Sequence, residues 1–417
     1  MARIVFTSGA YLGDVAPFVD PANRLAARGH EVAFVLPVGF HSLLGGEAFD
    51  VVPYPLDFSP SGMGADPTHE RLLRHPVANQ VRLARYWMRR GFVDGPDIAR
   101  DALLHVLDGA DVLVTHPTSG AASIPVAHHL GVPAVVGQLF PMMMPTSAWA
   151  PPTGTRNLDL RRPINKVAWT SFAWGSGSVM YDRTFNRHCR ALGQEPLRGN
   201  SLLAWTRAER TVVLLSRHYV GPEPDDWPGW QLGGFSRWTG PRNHRMDPRV
   251  DEYLDEGDAP VLVCLGTSAA AGAATTFATI ADGLGRSSLR PLLLVGSASN
   301  LEHLDGVAGT FEFAPVDEVA DRCCAAVVSG AVGTLAAALA AGLPVVVLPQ
   351  LFDQLWHGRR VEDLGVGILV TRPEKVAGAV NRLLGDPRYG RRARELADSL
   401  RREDGAGALV AAVDATI

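Results

Sequence analysis

Residues 325–334, Ala-Ala-Val-Val-Ser-Gly-Ala-Val-Gly-Thr, pass from a short apolar segment through a glycine-containing turn into an alanine-rich segment. The first four residues have the length and apolar character of a strand that is buried on both faces. The segment 331–341 that follows has the length and composition of a helix. This stretch therefore predicts a parallel β-strand, a tight turn and a helix, which is the repeating unit of an α/β fold.

The same alternation extends in both directions along the chain. Towards the C-terminus, strands are predicted at 261–265, 291–295, 325–328 and 344–348, and helices at 273–285, 331–341 and 354–364. Towards the N-terminus, strands are predicted at 4–7, 31–36, 51–52, 112–115 and 134–137, and helices from Pro17 to Arg28 and at 120–130. Strands that alternate with helices of this length are parallel and are joined by right-handed crossovers. The sequence predicts an α/β protein with two facing Rossmann-like domains.

The length of 417 residues is more than one hydrophobic core commonly serves, which also favours two domains. The segment Tyr219–Asp247 is rich in Pro, Gly and Trp and lacks periodicity, as is typical of a connection. We predict an N-terminal domain at 1–232, a linker at 233–248, a C-terminal domain at 249–395 and a helical tail at 396–417. Ligands are expected in the cleft, at the carboxyl ends of the strands.

The distribution of charge excludes two classes of function. A net charge of −4 gives no electrostatic reason to expect nucleic-acid binding. Charged residues are absent from 112–155 and from 323–352, and the second segment is long enough to span a bilayer. Glycines, prolines and polar residues interrupt both segments, so the texture indicates short strands and turns rather than a transmembrane helix. An apolar cleft between the domains is expected instead.

The N-terminal residues contain no apolar signal core, and the four cysteines show neither metal-ligand nor disulfide spacing. These features predict a cytoplasmic protein with reduced thiols. A basic segment at helical spacing leaves open either peripheral contact with the inner membrane face or an ordinary solvated helix face. Its residues are Arg82, Arg85, Arg89 and Arg90, beside Trp87 and Met88. The sequence does not indicate the oligomeric state.

Two glycine loops suit a phosphate group. The turn Ser329–Thr334 opens a helix, whose free N–H groups and dipole favour an anion. Gly266-Thr267-Ser268 follows the preceding central strand in the same manner. Glycine turns between strands and helices are also common for packing reasons alone, so each loop by itself is a weak signal.

The motifs around these loops are more specific. Phe313-Ala-Pro315, the stretch 325–334, Ala340–Pro344 and Leu348–Gln354 resemble, in this order, the donor-binding signature of UDP-glycosyltransferase-like enzymes with the GT-B fold. Near the N-terminus, Gly13-Asp-Val-Ala-Pro17 and Leu25–Val32 are similar to the signature of bacterial antibiotic, sterol and lipid glycosyltransferases. The resemblance covers both halves of the chain.

The resemblance implies an inverting transfer of a sugar from a UDP- or dTDP-sugar to a hydroxyl of a lipophilic natural product or lipid. It also implies that Asp14 is the general base that takes the acceptor proton. From the residues alone, an equally ordinary role for Asp14 is to cap a helix that begins near Pro17.

The donor site implied by the resemblance combines hydroxyl groups, helix N–H groups, an aromatic ring and an Asp-Gln pair. Its residues are Thr267, Ser268, Phe313, Ser329, Gly330, Gly333, Thr334, Asp353 and Gln354. The alternatives are a core aromatic at Phe313 and a solvated loop with a helix cap at Asp353-Gln354. No metal and no resident cofactor is expected, because helix termini neutralise the leaving diphosphate and the nucleotide sugar is a co-substrate. The acidic pairs Asp225-Asp226 and Asp255-Glu256 are interpreted as solvated charge.

The acceptor side is predicted from composition. Thioethers and flat aromatic faces suit a lipophilic aglycone, although core packing is an alternative for about half of them. The candidate acceptor-binding residues are His116, Phe140, Met142, Met143 and Trp149, with Trp169 and Trp174 nearby in sequence.

Two residues depart from the family pattern. Many relatives carry His where Ser329 stands and Gly where Ala331 stands. Serine supplies one hydrogen bond but no charge, so we expect diphosphate binding to be weaker by about 1–2 kcal/mol. This departure leaves open a non-catalytic homologue that serves as an auxiliary partner. A nucleotide-sugar epimerase on the same fold is a separate alternative.

Overall fold

A computed structural model describes residues 1–9, 11–37, 40–54, 68, 71–72, 79, 82, 95–151, 162–180, 182–196, 201–242, 245–266, 273–350 and 353–417. The strands are β1 Arg3–Thr7, β2 Glu31–Pro37, β3 Asp50–Tyr54, β4 Val112–Thr115, β5 Ala134–Gln138, β6 Arg210–Val213, β7 Gln231–Leu232, β8 Val261–Cys264, β9 Pro291–Leu294, β10 Thr310–Phe311, β11 Ala325–Val328, β12 Val345–Val347 and β13 Gly367–Leu369. The helices are α1 Leu12–Ala27, α2 His41–Leu44, α3 Gly95–Leu107, α4 Gly120–Leu130, α5 Arg162–Met180, α6 Asp182–Ala191, α7 Arg217–Val220, α8 Pro248–Asp255, α9 Ala274–Arg286, α10 Ala298–His303, α11 Val316–Val319, α12 Val332–Ala340, α13 Gln354–Leu364, α14 Val376–Gly385, α15 Pro387–Leu400 and α16 Gly405–Asp414. Short 3-10 turns lie at Pro141–Met143, Ser201–Arg207, Ala320–Arg322 and Pro373–Lys375. Among these described helices, none is both long enough and apolar enough to cross a membrane.

The strands form two parallel sheets, which confirms the predicted fold class. The first sheet has the order β3-β2-β1-β4-β5-β6-β7, and the second has the order β10-β9-β8-β11-β12-β13. In the first sheet, Ile4 of β1 lies between Val32 and Val112. The strand order reverses between β1 and β4 in one sheet and between β8 and β11 in the other. These are the topological switch points at which open parallel sheets bind their ligands.

Most predicted strands and helices are present, and α4, α13, β4 and β11 have the predicted bounds. Four short strands, β6, β7, β10 and β13, were not predicted. The prediction for Tyr219–Asp247 was wrong in part, because Gln231 and Leu232 pair with β6 and extend the first sheet. A strand of two residues has no periodicity by which a sequence could reveal it.

The start of helix α1 differs from the prediction. It begins at Leu12 rather than at Pro17, and both Pro17 and Pro21 lie inside it. A proline inside a helix leaves the carbonyl four residues earlier without its usual donor. For Pro21 that carbonyl belongs to Pro17, and the Ser236 hydroxyl donates to it at 2.5 Å. A residue from the predicted linker therefore replaces the missing hydrogen bond, which permits the helix to continue.

The C-terminal segment is helical, as predicted, but it does not remain with the second sheet. Helix α16 packs against α1, β5 and β6 of the first sheet. Leu409, Val410 and Val413 are at most 1% exposed and lie in the same hydrophobic cluster as Ile4 and Phe6. The chain thus crosses between the two sheets a second time, and α16 completes the core of the first.

The basic segment that could have contacted a membrane lies almost wholly outside the described residues. Of its four arginines, only Arg82 is described, and it is exposed.

Candidate active site

The predicted site residues on both sheets follow strands that flank a switch point. In the first sheet, β1 leads to the loop before Asp14, and β4 is followed at once by His116. In the second sheet, β8 leads to Gly266, and β11 is followed by Ser329–Thr334. Because carboxyl ends of neighbouring parallel strands lie at one edge of a sheet, each sheet brings its two groups together.

Asp14 lies in the first turn of α1 and does not cap it. The residue at the N-cap position is Tyr11, which makes no side-chain cap hydrogen bond. The Ser8 hydroxyl donates to the backbone carbonyl of Asp14 at 2.7 Å. A Cβ atom at Gly9 would lie 2.3 Å from Asp14 Oδ2, so a glycine is required there for the carboxyl to occupy its place. The interpretation of Asp14 as a helix cap was therefore wrong.

His116 lies beside the Asp14 carboxyl. Its Nε2 is 3.6 Å from Asp14 Oδ1, which is too long for a hydrogen bond, and Nε2 has no other partner among the described residues. The Thr118 backbone N–H donates to His116 Nδ1 at 3.2 Å, and the Thr118 hydroxyl lies 2.6 Å from the same atom. Since Nδ1 accepts, the proton of the neutral ring is on Nε2, directed towards Asp14.

Burial changes the acidity of both groups. Desolvation raises the pKa of Asp14 to about 7; the hydrogen bond from the Tyr11 backbone lowers it, and the charge of Asp353 raises it further. Desolvation lowers the pKa of His116 to about 3, so its ring is neutral near pH 7. The pair therefore consists of a carboxyl that titrates near neutrality and a neutral imidazole.

The two central loops of the second sheet meet at Gly266. A Cβ atom built on Gly266 would lie 3.8 Å from Ser329 Oγ, 3.9 Å from Thr334 Oγ1 and 4.0 Å from the Ala331 Cβ. Helix α12 begins here, with no side-chain cap and with no acidic residue in its first turn. Its first N–H groups and the Thr334 hydroxyl provide a compact set of donors that suits an anion.

Ser329 is placed differently from the prediction that it contacts the diphosphate. Its side chain is 0% exposed, and Ser329 Oγ accepts a hydrogen bond from the Ala331 backbone N–H at 3.3 Å. The hydroxyl thus stabilises the turn from within. Gly330, with φ of +93°, packs against the start of α13, where a Cβ atom would lie 3.0 Å from the Gln354 carbonyl oxygen.

Asp353 and Gln354 do not form a solvated loop, since each is 5% exposed. Asp353 stands at the N-cap position of α13 but makes no cap hydrogen bond with its side chain. Instead, His357 Nε2 lies 3.2 Å from Asp353 Oδ2. Gln354 Oε1 accepts from the Gln350 backbone N–H at 2.7 Å, which holds the segment after β12.

The groups of the two sheets face each other. Helix α1, which carries Asp14, contacts helix α12, which begins at the glycine turn Ser329–Thr334. The charge of Asp353 raises the pKa of Asp14, so the two carboxyl groups lie within electrostatic reach of one another. The structure therefore brings a candidate base from the first sheet to the candidate donor site of the second.

Only some of the predicted acceptor-binding residues lie close to Asp14. The Phe140 ring packs edge-on against His116, with ring centroids 5.2 Å apart. His116 itself is 0% exposed, so it contacts Asp14 and does not line an open pocket, which corrects its predicted role. Met143 is 7% exposed and belongs to the core, and Trp149 packs edge-on against Trp227 with centroids 5.9 Å apart.

The loop that carries Trp149 is fixed by polar contacts. Asp226 accepts from the Thr146 hydroxyl and from the Ser147 backbone N–H, both at 2.7 Å. The indole N–H of Trp169 donates to the Trp149 carbonyl at 2.8 Å. Asp226 is thus a structural anchor rather than a freely solvated charge.

Some predicted residues lie outside the described part of the chain, and others were missed. Thr267 and Ser268 are not described, nor are the side chains of Met142 and Trp174. Phe313 is described and is half-buried. Sequence reasoning missed His357, for which the spacing of four residues after Asp353 on a predicted helix was an available signal.

Comparison with known proteins finds glycosyltransferases that are similar to nearly the whole chain. Residues 293–410 match the family model described as erythromycin biosynthesis protein CIII-like, C-terminal domain. O-mycaminosyltylonolide 6-deoxyallosyltransferase of Streptomyces fradiae is 27% identical over 97% of this chain and 94% of its own length. Glycosyltransferase GtfC of Amycolatopsis orientalis is 26% identical over 98% of this chain and 96% of its own length.

A solved structure extends the likeness to the whole fold. The spinosyn rhamnosyltransferase SpnG superimposes with a TM-score of 0.68 at 15% identity, covering 100% of both chains. It has also been solved complexed with thymidine diphosphate and with spinosyn aglycone, with TM-scores of 0.66 and 0.65. The chain is thus a glycosyltransferase with the GT-B fold, and its similarity to these proteins supports a place among UDP-glycosyltransferase-like enzymes.

Proposed function

We propose that this protein transfers a sugar from a nucleoside-diphosphate sugar to a hydroxyl of a lipophilic acceptor, with inversion at the anomeric carbon and with Asp14 as the general base. The observation that carries the proposal is the position of Asp14: it lies in the first turn of α1, the helix that contacts α12, and its pKa of about 7 suits a base near neutral pH.

The proposed reaction is a single displacement. The acceptor oxygen forms a bond to the anomeric carbon while its proton passes to the Asp14 carboxylate. The bond between that carbon and the diphosphate oxygen breaks on the opposite side, and the oxygen leaves with the electron pair. The N–H groups at the start of α12 and the Thr334 hydroxyl stabilise the charge that develops on the leaving group. One displacement inverts the configuration of the sugar.

The neutral His116 supports this role for Asp14. A neutral imidazole does not stabilise the carboxylate as an ion pair would, so the carboxyl keeps its high pKa. When Asp14 is ionised, the Nε2–H of His116 is directed towards it from 3.6 Å, and a small movement would form a hydrogen bond. His116 then orients the base without making it too weak to accept a proton.

For the donor we propose a thymidine or uridine diphosphate sugar. The complex of SpnG with thymidine diphosphate supports the thymidine form. Asp353 and Gln354 are proposed to bind the sugar hydroxyls, and Phe313 to pack against the base. The transfer needs no resident cofactor in this proposal, because the nucleotide sugar is itself a co-substrate.

For the acceptor we propose a hydrophobic polyketide-like or sterol-like alcohol. SpnG is solved with spinosyn aglycone, and the relative in Streptomyces fradiae is named for a tylonolide substrate. Within this chain, the Phe140 ring beside His116 offers an apolar wall close to Asp14.

The decisive variant is Asp14→Asn. It keeps the size of the side chain but cannot accept the proton, so transfer should fall by at least about a hundredfold. Calorimetric binding of dTDP and UDP should remain within about twofold of the wild type. Products from a panel of donors and lipophilic alcohols are measured by mass spectrometry, with donor alone as the control for epimerase activity.

Two results would contradict the proposal. Retained transfer by Asp14→Asn would remove Asp14 from its role as the base. Failure of the wild-type protein to bind any nucleotide or nucleotide sugar would favour the auxiliary homologue.

A further inference from the structure

We propose that His357 and Tyr219 position the Asp353 carboxylate for the donor sugar, so that sugar binding depends on a hydrogen-bonded chain that runs from one sheet domain to the other. The inference rests on the proposed function, because it concerns the same donor site. It assigns a positioning role to two buried residues outside the predicted site.

The chain of contacts is short and buried. His357 Nε2 is 3.2 Å from Asp353 Oδ2, and His357 Nδ1 is 2.9 Å from the Tyr219 hydroxyl oxygen. Asp353 is 5% exposed, and both His357 and Tyr219 are 0% exposed. The rings of Tyr219 and His357 are stacked, with an interplanar angle of 19°. Water cannot easily replace any of these hydrogen bonds, so each partner depends on the next.

The direction of the hydrogen bonds follows from the donors available. Burial raises the pKa of Tyr219 well above its ordinary value, so its side chain remains a phenol with one O–H to donate. The nearer acceptor is His357 Nδ1 at 2.9 Å, compared with the His357 carbonyl at 3.4 Å. If Nδ1 accepts, the ring proton is on Nε2 and is donated to Asp353 Oδ2. The other carboxylate oxygen of Asp353 is left to accept from a sugar hydroxyl.

The chain joins two parts of the fold. Tyr219 lies on α7, between β6 and β7 of the first sheet, whereas His357 and Asp353 lie at the start of α13 in the second. The Arg360 side chain donates from Nε to the Tyr219 carbonyl, so α13 holds both ends of the tyrosine. A rotation of one sheet domain against the other would move the phenol away from His357. The imidazole would then lose the partner that orients it towards Asp353.

The test compares the affinity for a nucleoside diphosphate with that for its sugar. Wild-type protein and variants are titrated calorimetrically with dTDP and dTDP-glucose, and with UDP and UDP-glucose. In His357→Leu the gain in affinity due to the sugar should fall about five- to tenfold, because the variant loses one hydrogen bond to a charged group. Affinity for the nucleoside diphosphate alone should stay within about twofold.

Three further variants separate positioning from packing. Tyr219→Phe keeps the ring and should reduce the sugar-dependent gain in the same direction, by about threefold. His357→Gln retains an N–H donor near the position of Nε2 and should restore most of the gain. Arg237→Gln breaks the ion pair with Asp317, which joins the segment after β7 to α11 without touching the chain of hydrogen bonds, and it should leave the gain unchanged.

A measurement on the unmodified protein guards against variants that fail to fold. Nitrogen-15 spectra of labelled histidine should show His357 as the neutral Nε2–H tautomer, and Tyr219→Phe should perturb that signal. A His357 protonated on Nδ1 would overturn the inference, as would an unchanged sugar-dependent gain in His357→Leu. An equal loss of affinity for dTDP and dTDP-glucose would mean that His357 serves only the packing. If the sugar adds no affinity in the wild type, the donor role of Asp353 fails as well.

Discussion

At the scale of single residues, Asp14 places catalysis and stability in opposition. A largely buried carboxyl with a raised pKa is useful as a base, but its ionised form is less favourable in the folded protein than in the unfolded chain. No ion pair offsets this cost, because His116 is neutral and its Nε2 lies 3.6 Å from Asp14 Oδ1. The hydrogen bond from the Tyr11 backbone lowers the pKa of Asp14 but by less than desolvation raises it. Asp14 is therefore tolerated for its chemistry and not for its contribution to stability.

This opposition predicts a pH-dependent gain of stability in Asp14→Asn. The pKa of Asp14 is about 7 in the folded protein and near 3.8 in the unfolded chain, so ionisation costs stability progressively from about pH 4 to pH 7. Above pH 7 the cost is complete, on the order of 4 kcal/mol. Thermal unfolding should show the variant to be more stable than the wild type at pH 8, with the difference shrinking towards pH 4.5. A difference that does not depend on pH would contradict the raised pKa.

Ionisation of Asp14 should also set the pH dependence of activity, which is expected to rise with pH whereas stability falls. Because the base acts when it is ionised, kcat/KM should rise with pH and level off above about 7, with the slope of one proton. The measurement is a pH profile of transfer under conditions of low acceptor concentration. A profile that is flat from pH 5.5 to 8 would assign the base to another group.

Ser329 gives a prediction that reverses the expectation from sequence. Had Ser329 been a weakened phosphate contact, Ser329→His would tighten donor binding. Its side chain is fully buried and bonds Ala331, so a histidine must displace its neighbours at a cost of about 1–3 kcal/mol. Calorimetry should show weaker binding of dTDP and UDP, and melting curves should show lower stability. Tighter binding would mean that the turn can open towards the ligand.

At the scale of elements, the turn between β11 and α12 is the part of the molecule that sequence reasoning predicted best. Ser329–Thr334 was recognised because a buried strand, two glycines and an apolar helix follow one another directly in the chain. The position of His357 against Tyr219 could not be found in this way, since the two are 138 positions apart. Local pattern reveals a turn, whereas contacts between distant elements depend on how the sheets pack.

The two glycines of this turn form a matched pair for mutation. Gly330 has φ of +93°, and a Cβ atom would meet the Gln354 carbonyl oxygen at 3.0 Å, so Gly330→Ala should lower the melting temperature. Gly333 lies in α12 with no atom within 4 Å of the Cβ position, so Gly333→Ala should leave stability unchanged or slightly improved. If the diphosphate approaches the helix start closely, Gly333→Ala should nevertheless weaken dTDP binding. Equal melting temperatures for both variants would contradict the strain assigned to Gly330.

At the scale of the whole molecule, sequence pattern predicted two parallel α/β sheets, but it did not predict the strand order that their first six strands share or the short strands β6, β7, β10 and β13. It also missed the return of α16 to the first sheet. The apolar residues of α16 resemble those of any buried helix, and the sequence of this segment does not indicate against which of the two hydrophobic cores it packs. Buried contact, rather than charge, explains the choice, because the ion pairs Arg24–Asp404 and Arg28–Asp414 are partly exposed.

This contrast gives a prediction for the first sheet. Leu409→Ala removes a side chain that is 0% exposed and should cost about 2–5 kcal/mol. The double variant Arg24→Gln, Arg28→Gln breaks both exposed ion pairs and should cost at most about 1 kcal/mol for each pair. Hydrogen exchange should report the loss in Leu409→Ala as faster exchange in β5 and β6, the strands against which α16 packs. Greater destabilisation by the arginine variants would mean that charge, and not burial, attaches α16.

The attachment of α16 also sets an order of events during synthesis. The ribosome makes β1 to β7 first, yet α16, which completes the hydrophobic cluster that contains Ile4 and Phe6, is made only after the whole second sheet. Domains commonly fold as units while the chain emerges. Here part of the apolar core of the first sheet stays exposed while roughly the second half of the protein is translated. During that interval the nascent chain exposes an apolar surface that chaperones can bind. The yield of folded enzyme therefore depends on protection of this surface until α16 has been synthesised and packs against it.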